Sequence, residues 1–136
     1  AVPLGGQVQV GGYHLILEDV EGVEGPNYEA ERGRLVARKG ERVVCRPAPE
    51  RRLYLPGGQT TSEVAICYEG LSHLYVVLGE RREAAGGPTW LVRAYFNPLA
   101  VLIFLGPAIM ALGGVVSLSD RRLRIGVARR AEAAAA

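Results

Sequence analysis

One uninterrupted apolar segment, residues 98–118, constrains the fold of this chain more than any other feature. It reads PLAVLIFLGPAIMALGGVVSL, and no charged residue occurs anywhere in residues 94–119. An α-helix rises about 1.5 Å per residue, so some 20 residues cover the ~30 Å hydrocarbon core of a bilayer. Its Leu, Ile, Val and Phe residues contribute roughly −3 to −7 kcal/mol to insertion, which outweighs moderate costs from Gly and Pro. We predict a single transmembrane helix over residues 98–118.

The charges around this segment predict its orientation. A buried core helix is the alternative, but a domain of this size can hardly surround so many apolar residues. Arg93 stands close to the upstream end, whereas five arginines follow the segment: Arg121, Arg122, Arg124, Arg129 and Arg130. By the positive-inside rule, residues 119–136 form a cytoplasmic basic tail and the upstream domain lies outside.

Small residues recur within the apolar segment. Gly106, Gly113 and Ser117 follow one another at spacings of seven and four, which places them on one helix face. This face permits close packing against another helix, although Gly is also common in membrane spans generally. Pro107 lacks the N–H that would bond the carbonyl of Ile103, so a modest kink is expected.

Residues 7–97 have the pattern of an antiparallel β domain, preceded by a short lead-in at residues 1–6. Short apolar runs alternate with Gly- and Pro-containing turn signals at intervals of about ten residues. Tyr13, Leu15 and Leu17 alternate with His14 and other outward positions, which indicates one buried face. A small OB-like β-barrel removes exposed edges economically. Residues 64–68 fit either a strand or part of a short helix.

Composition argues against nucleic-acid binding. Residues 1–97 contain 11 Lys and Arg against 12 Asp and Glu, so this part has no basic stripe for phosphates. Cys45 and Cys67 fall in separate predicted strands. An outer-side location permits a disulfide between them without requiring one, and two free buried thiols are the simpler expectation.

The residues that usually carry catalysis are sparse. His14 and His73 have no partner at a ligand spacing, and the cysteines form neither CxxC nor CxxCH, so zinc, iron–sulfur and covalent haem attachment are poorly supported. No catalytic, cofactor-binding or metal-binding residue is assigned.

Tyr54 and Glu63 are the interaction candidates of the β domain. They flank the polar loop LPGGQTTS, where Tyr offers a flat amphipathic surface and Glu an acceptor. The alternative is a loop whose carboxylate satisfies local backbone N–H groups. An acidic run is more simply a solvated strand face than a cation site; it comprises Glu18, Asp19, Glu21 and Glu24.

Four stretches together resemble the C-terminal end of the CcmF family, the haem-lyase component of bacterial system I cytochrome c maturation. They are GPNYEAERG at 25–33, PERRLYLPGGQTTSEVAI at 49–66, HLYVVLGE at 73–80 and WLVRAYFNPLAVLIFLGPAIMALGGVVSLSDRRLR at 90–124. Their order, spacing and junction with a final membrane helix are specific. The chain departs in detail, with Ser62 before Glu63 where the family usually has Thr, and with His73 where an acidic residue is common.

The resemblance implies a polytopic protein of the bacterial inner membrane that holds haem b. It would receive haem through a CcmC/CcmE pathway and work with CcmH and CcmI to attach it to apocytochrome c. This stretch would be the last periplasmic loop and final helix, embedded in the lipid bilayer beside the rest of the haem lyase. The family's tryptophan-rich segment and haem-associated histidines have no counterpart here, so no haem is expected within it.

Three hypotheses follow. The first is a scaffolding and partner-interaction module of a haem lyase. The second is an independent, single-pass anchored β-barrel that binds a ligand or peptide. The third is a fragment that itself binds haem through His14 or His73.

Overall fold

The computed structural model describes residues 1–119, which divide into two compact units at residue 100. The first unit contains ten β-strands. Their bounds are β1 Val2–Pro3, β2 Gln7–Val10, β3 Tyr13–Glu24, β4 Tyr28–Lys39, β5 Arg42–Cys45, β6 Glu50–Tyr54, β7 Gln59–Glu63, β8 Ala65–Glu69, β9 Ser72–Ala84 and β10 Gly87–Asn97. The prediction of a mainly β, antiparallel fold followed by one apolar helix is confirmed.

The strands hydrogen-bond in two antiparallel sheets. Sheet I has the order β1-β10-β9-β8, and sheet II has the order β2-β3-β4-β6-β7 with β5 added to β4. Strands β7 and β8 are separated only by Val64, so the chain crosses from sheet II to sheet I within one extended run. Residues 64–68, whose sequence fitted either a strand or part of a short helix, belong mostly to β8. The curled sheets share one core, as expected when each has one apolar face.

Alternate residues of the central strands fill that core. Tyr13, Leu15 and Leu17 of β3 are buried, and so are the inward residues of β9. The core cluster comprises Tyr13, Leu15, Leu17, Leu35, Ala37, Cys67, Leu74, Val76, Leu78 and Trp90. It draws on both sheets, so each sheet buries its apolar face against the other.

A disulfide joins the sheets. Cys45 of β5 and Cys67 of β8 are bonded, with their Cα atoms 6.3 Å apart. The lead-in also takes part in the fold, since Val2 pairs with Trp90 and the N–H of Leu17 donates to the carbonyl of Gly6.

The second unit contains helix α1, Leu102–Ser119. By length and composition it is able to cross a membrane, with a mean hydropathy of 2.0 and no buried residue. It begins four positions after the predicted start at Pro98, because residues 98–101 form a turn in which Leu99 adopts a φ of 58°. The helix runs through Pro107. The predicted cytoplasmic tail, beyond Ser119, lies outside the described residues.

Candidate functional site

Tyr54 and Glu63, the two candidates of the β domain, are linked through Arg52. Alternate residues of a strand point to the same face, so Arg52 and Tyr54 share a face of β6 with Glu63 of the neighbouring β7. The Arg52 guanidinium lies 3.9 Å from Glu63 and 4.5 Å above the ring of Tyr28. The rings of Tyr28 and Tyr54 are 5.6 Å apart. The arginine therefore makes a cation–π contact with Tyr28, and the Tyr28 ring in turn pairs with that of Tyr54.

Glu50 is the buried centre of this network. It is 7% exposed and accepts hydrogen bonds from Arg32 Nε at 2.7 Å and from Arg52 Nε at 2.9 Å. Burial by itself would raise the pKa of Glu50, but the hydrogen bonds from Arg52 and Arg32 outweigh it, and the pKa is lowered. Glu50 is therefore an ionised structural anchor, and not a proton acceptor tuned to neutral pH.

Three of the four residues in the acidic run on β3 also have hydrogen-bond or ion-pair partners. Glu21 forms ion pairs with Arg32 and Arg34, and Glu18 lies 3.2 Å from Arg46. Asp19 accepts the N–H of Val20. Within residues 1–119, no group of three or more His, Cys, Asp or Glu side chains is arranged to hold a metal ion.

The two histidines lie on opposite outer faces of the β unit. His14 alternates with the buried Tyr13 and Leu15 of sheet II, and His73 alternates with the buried Leu74 of sheet I. His73 Nε2 is 2.8 Å from Asn97 Nδ2. Haem binding through His14 or His73 stays a prediction.

The outward face of β8, β9 and β10 is a feature that sequence reasoning missed. We call it the tyrosine face, defined by Ile66, Tyr68, His73, Tyr75 and Tyr95. Ile66, Tyr75 and Tyr95 stand in one cross-strand row, and Tyr68 lies opposite His73 in the next. The outward positions of an exposed sheet usually carry polar residues. The tyrosine face could have been predicted from the sequence, because its residues alternate along β8 and β9 with the inward-facing Cys67, Leu74 and Val76.

The side chains of the tyrosine face are exposed, and their rings contact one another in pairs. Tyr68 is 66% exposed, Tyr95 51% and Ile66 42%. The Tyr75 and Tyr95 rings are 6.1 Å apart at a steep angle, and the Tyr68 and His73 rings are 5.9 Å apart. Exposed tyrosines are among the side chains that dominate protein interfaces, since they bury a large area while keeping a polar hydroxyl.

The small residues of α1 lie in the open. An added Cβ at Gly106 or Gly113 would meet nothing within 4 Å. Their role with Ser117 in packing against another membrane helix stays a prediction, as does an interaction role for Tyr54 and Glu63.

Comparison with known proteins identifies the family. A family profile described as the CcmF C-terminal beta-sandwich matches residues 1–98. The chain is 38% identical over 131 residues to the cytochrome c-type biogenesis protein Ccl1 of Rhodobacter capsulatus, and 41% identical over 125 residues to CycK of Bradyrhizobium diazoefficiens. It is 33% identical over 126 residues to CcmF of Pseudomonas aeruginosa.

These alignments cover 96%, 91% and 93% of the chain but only 20%, 18% and 19% of the respective relatives, so the chain spans about a fifth of their length. No solved structure matches. The matched region, a β-sandwich followed by one apolar helix, shows that this chain belongs to the CcmF family of cytochrome c-type biogenesis proteins and corresponds to its C-terminal part.

Proposed function

We propose that this chain is the partner-interaction module of a haem lyase. In this proposal the β unit lies on the periplasmic side of the bacterial inner membrane and α1 is the last membrane helix. The module positions CcmH- and CcmI-type partners, or the apocytochrome, near haem chemistry performed elsewhere in the longer protein, which holds haem b supplied by a CcmE-like chaperone.

The observation that carries this proposal is the tyrosine face. Its aromatic and aliphatic side chains are exposed together on three adjacent strands, whereas many of the charged side chains of sheet II are engaged in ion pairs. Family membership directs the inference toward cytochrome c maturation, because the relatives are named as cytochrome c-type biogenesis proteins.

The test is made in the complete protein, where partner binding and holocytochrome yield can be measured together. Tyr75→Ala combined with Tyr95→Ala removes the centre of the tyrosine face. A matched control is Leu55→Ala, which truncates a side chain that is 59% exposed in the turn between β6 and β7.

We expect the double variant to reduce both the co-purification of CcmH- and CcmI-type proteins and the yield of haem-stained cytochrome c, by roughly tenfold or more if these tyrosines are interface hot spots. The control should behave as the parent. Full co-purification and full yield from a correctly folded double variant would refute the proposal.

A further inference from the structure

Three arginines that form no ion pair within residues 1–119 converge on one cleft at the junction of the two sheets. The cleft has a volume of about 450 Å³ and receives Arg51 from β6, Arg82 from β9 and Arg93 from β10. Hydroxyl groups of Thr60 and Ser62 on β7 also line it. Thus side chains from four strands border one concave surface, in which the Ser62 hydroxyl already donates to the carbonyl of Leu78.

The distribution of ion pairs makes this clustering informative. Residues 1–119 contain 11 Lys and Arg side chains. Seven of them form ion pairs within the described residues: Arg32, Arg34, Lys39, Arg42, Arg46, Arg52 and Arg81. Of the four that do not, Arg38 stands apart on β4, and the other three line the cleft. Three of the four Lys and Arg side chains that form no ion pair within the described residues therefore lie at this one cleft.

The nearby carboxylates form no ion pair with the three arginines within the described residues, although Arg51 also borders a second cleft beside Glu24, Glu29 and Glu31. Glu80 lines the cleft, and Glu31 lies opposite Arg51 in the register of β4 and β6, but neither forms an ion pair within the described residues. Like charges held close to one another raise the energy of the unliganded fold, and an incoming anion removes that repulsion. A planar guanidinium also binds carboxylates through two parallel N–H donors.

The apolar part of the cleft favours a peptide as the source of the anion. Val77 and Leu91 lie between the arginines, so the surface offers apolar contact beside the charges. Val77 and Arg93 also continue the outward rows of β9 and β10 beyond Tyr75 and Tyr95. A segment lying along these strands would therefore meet tyrosines first and arginines next.

We propose that this arginine cleft binds the carboxylate side chains of an acidic peptide segment of a partner protein, whose apolar residues lie on the adjoining tyrosine face. This inference rests on the proposed partner-interaction function and specifies the chemistry of the partner. It predicts a partner segment in which an aromatic or aliphatic stretch precedes or follows clustered Asp and Glu.

The probe is a short synthetic peptide rich in Glu with one Tyr, compared with the same peptide in which Gln replaces every Glu. Binding to the whole chain in detergent is measured by calorimetry and by the emission of Trp90, the only tryptophan in the sequence and the neighbour of the cleft residue Leu91. We expect the acidic peptide alone to bind, with an affinity that falls as salt is raised.

Single variants Arg51→Gln, Arg82→Gln and Arg93→Gln should each weaken binding roughly two- to fivefold, and the triple variant roughly tenfold or more. Arg38→Gln removes the same charge outside the cleft and should have no effect. Glu80→Gln should strengthen binding, because it removes a repulsive carboxylate.

Equal binding of the acidic and neutral peptides, or full affinity in a folded triple variant, would overturn the inference. Arginine-dependent binding to phosphatidylglycerol vesicles without binding of the peptide would overturn it in favour of a lipid headgroup. If partner co-purification in the complete protein is lost with the Tyr75 and Tyr95 substitutions but unaffected by the three arginine substitutions, the proposed function stands and this inference fails. If it is unaffected by both sets, the proposed function fails.

Discussion

The buried hydroxyl of Tyr13 donates a hydrogen bond to the carboxylate of Glu69, and this contact joins β3 of sheet II to the end of β8 in sheet I. Lys39 and Arg42 also pair with Glu69, and the Tyr13 ring packs against Phe96 at 5.5 Å. The Glu69 carboxylate thus links three strands of sheet II, namely β3, β4 and β5, to the end of β8 in sheet I. The contact is one of the side-chain links that hold the curled sheets together.

Replacing Tyr13 by Phe tests this link. The variant keeps the ring and removes only the donor, so we expect the free energy of unfolding to fall by about 1 kcal/mol. Tyr68→Phe removes an exposed hydroxyl on the tyrosine face and should leave stability unchanged. Chemical denaturation monitored by circular dichroism measures both, and equal stability of the two variants would contradict the role assigned to the hydrogen bond.

The same contact predicts a dependence on alkaline pH. The hydrogen bond to Glu69, together with burial, raises the pKa of Tyr13 above its ordinary value of 10.0. A raised pKa in the folded state means that the protonated hydroxyl stabilises the fold below pH 10 and that this contribution disappears as pH rises through the higher folded value. The parent should therefore lose stability over this range, and Tyr13→Phe should lose less.

Glu50 predicts the behaviour of sheet II in acid. Its lowered pKa means that its contribution is present above the ordinary carboxyl pKa of 4.5 and is lost as pH falls through the folded value. Glu50→Gln removes the negative charge shared by Arg32 and Arg52 and replaces one acceptor oxygen by an NH2 donor, so it should reduce the free energy of unfolding by about 1–3 kcal/mol at neutral pH.

The control for Glu50 is Glu83→Gln. Glu83 pairs with Arg81, but its side chain is 71% exposed, so its loss should change stability by less than about 0.5 kcal/mol. Denaturation curves should show a lower free energy of unfolding for Glu50→Gln than for the parent at neutral pH. Below pH 4.5 the two proteins should become equally stable. A constant difference across this range would show that Glu50 acts through packing and not through its charge.

The Cys45–Cys67 disulfide should contribute strongly to stability. The two residues are 22 positions apart, and closing a loop of that size restricts the unfolded chain by about 3 kcal/mol in the loop-entropy account. We expect the double variant Cys45→Ala/Cys67→Ala to be destabilised by about that amount and to be insensitive to reductant. Thermal unfolding of the parent with and without reductant provides the comparison, and a parent unaffected by reductant would contradict the expectation.

Gly11 and Gly12 form a matched pair in the turn between β2 and β3. Both have positive φ, but a Cβ at Gly11 would collide with the ring of Phe96, whereas one at Gly12 would meet nothing within 4 Å. Gly12→Ala should destabilise by about 1–2 kcal/mol through backbone strain alone. Gly11→Ala should add roughly 1–3 kcal/mol from overpacking. Urea midpoints of the two variants give the difference directly, and similar midpoints would argue that Phe96 moves aside.

The small-residue face of α1 predicts which side of this helix packs against another membrane helix. Gly113→Leu adds bulk to the face shared with Gly106 and Ser117, whereas Gly114→Leu adds the same bulk about 100° around the helix. If that face packs against another helix, only Gly113→Leu should reduce assembly and holocytochrome yield in the complete protein. Equal effects of the two variants would indicate general intolerance and not a packing face.

The features that sequence reasoning reached were those carried by local periodicity. The alternation of Tyr13, Leu15 and Leu17 placed them inside, and all three are buried. The continuous apolar run gave the helix, although its start was set by the turn at residues 98–101. Both signals lie within a few neighbouring positions, where side-chain direction follows directly from the backbone period.

What the sequence did not reveal depends on register between distant strands. Tyr75 and Tyr95 become neighbours only because β9 pairs with β10 in one register. Tyr54 is linked to Glu63 through Arg52, which lies on the same strand as Tyr54 and reaches Glu63 on the neighbouring β7. Cys45 and Cys67 meet because β7 continues into β8 and carries the chain to the other sheet. No local pattern encodes these encounters.

The position of β10 within sheet I bears on how the β unit responds to tension. This strand is hydrogen-bonded on both sides, to β1 and β9, and its last residue, Asn97, is followed by the short turn that leads into α1. Tension applied along the strand would load many inter-strand bonds in parallel, which resists rupture better than peeling them one at a time. Strand β10, which leads into α1, should therefore resist being pulled out of sheet I more strongly than a strand that is peeled away from one end.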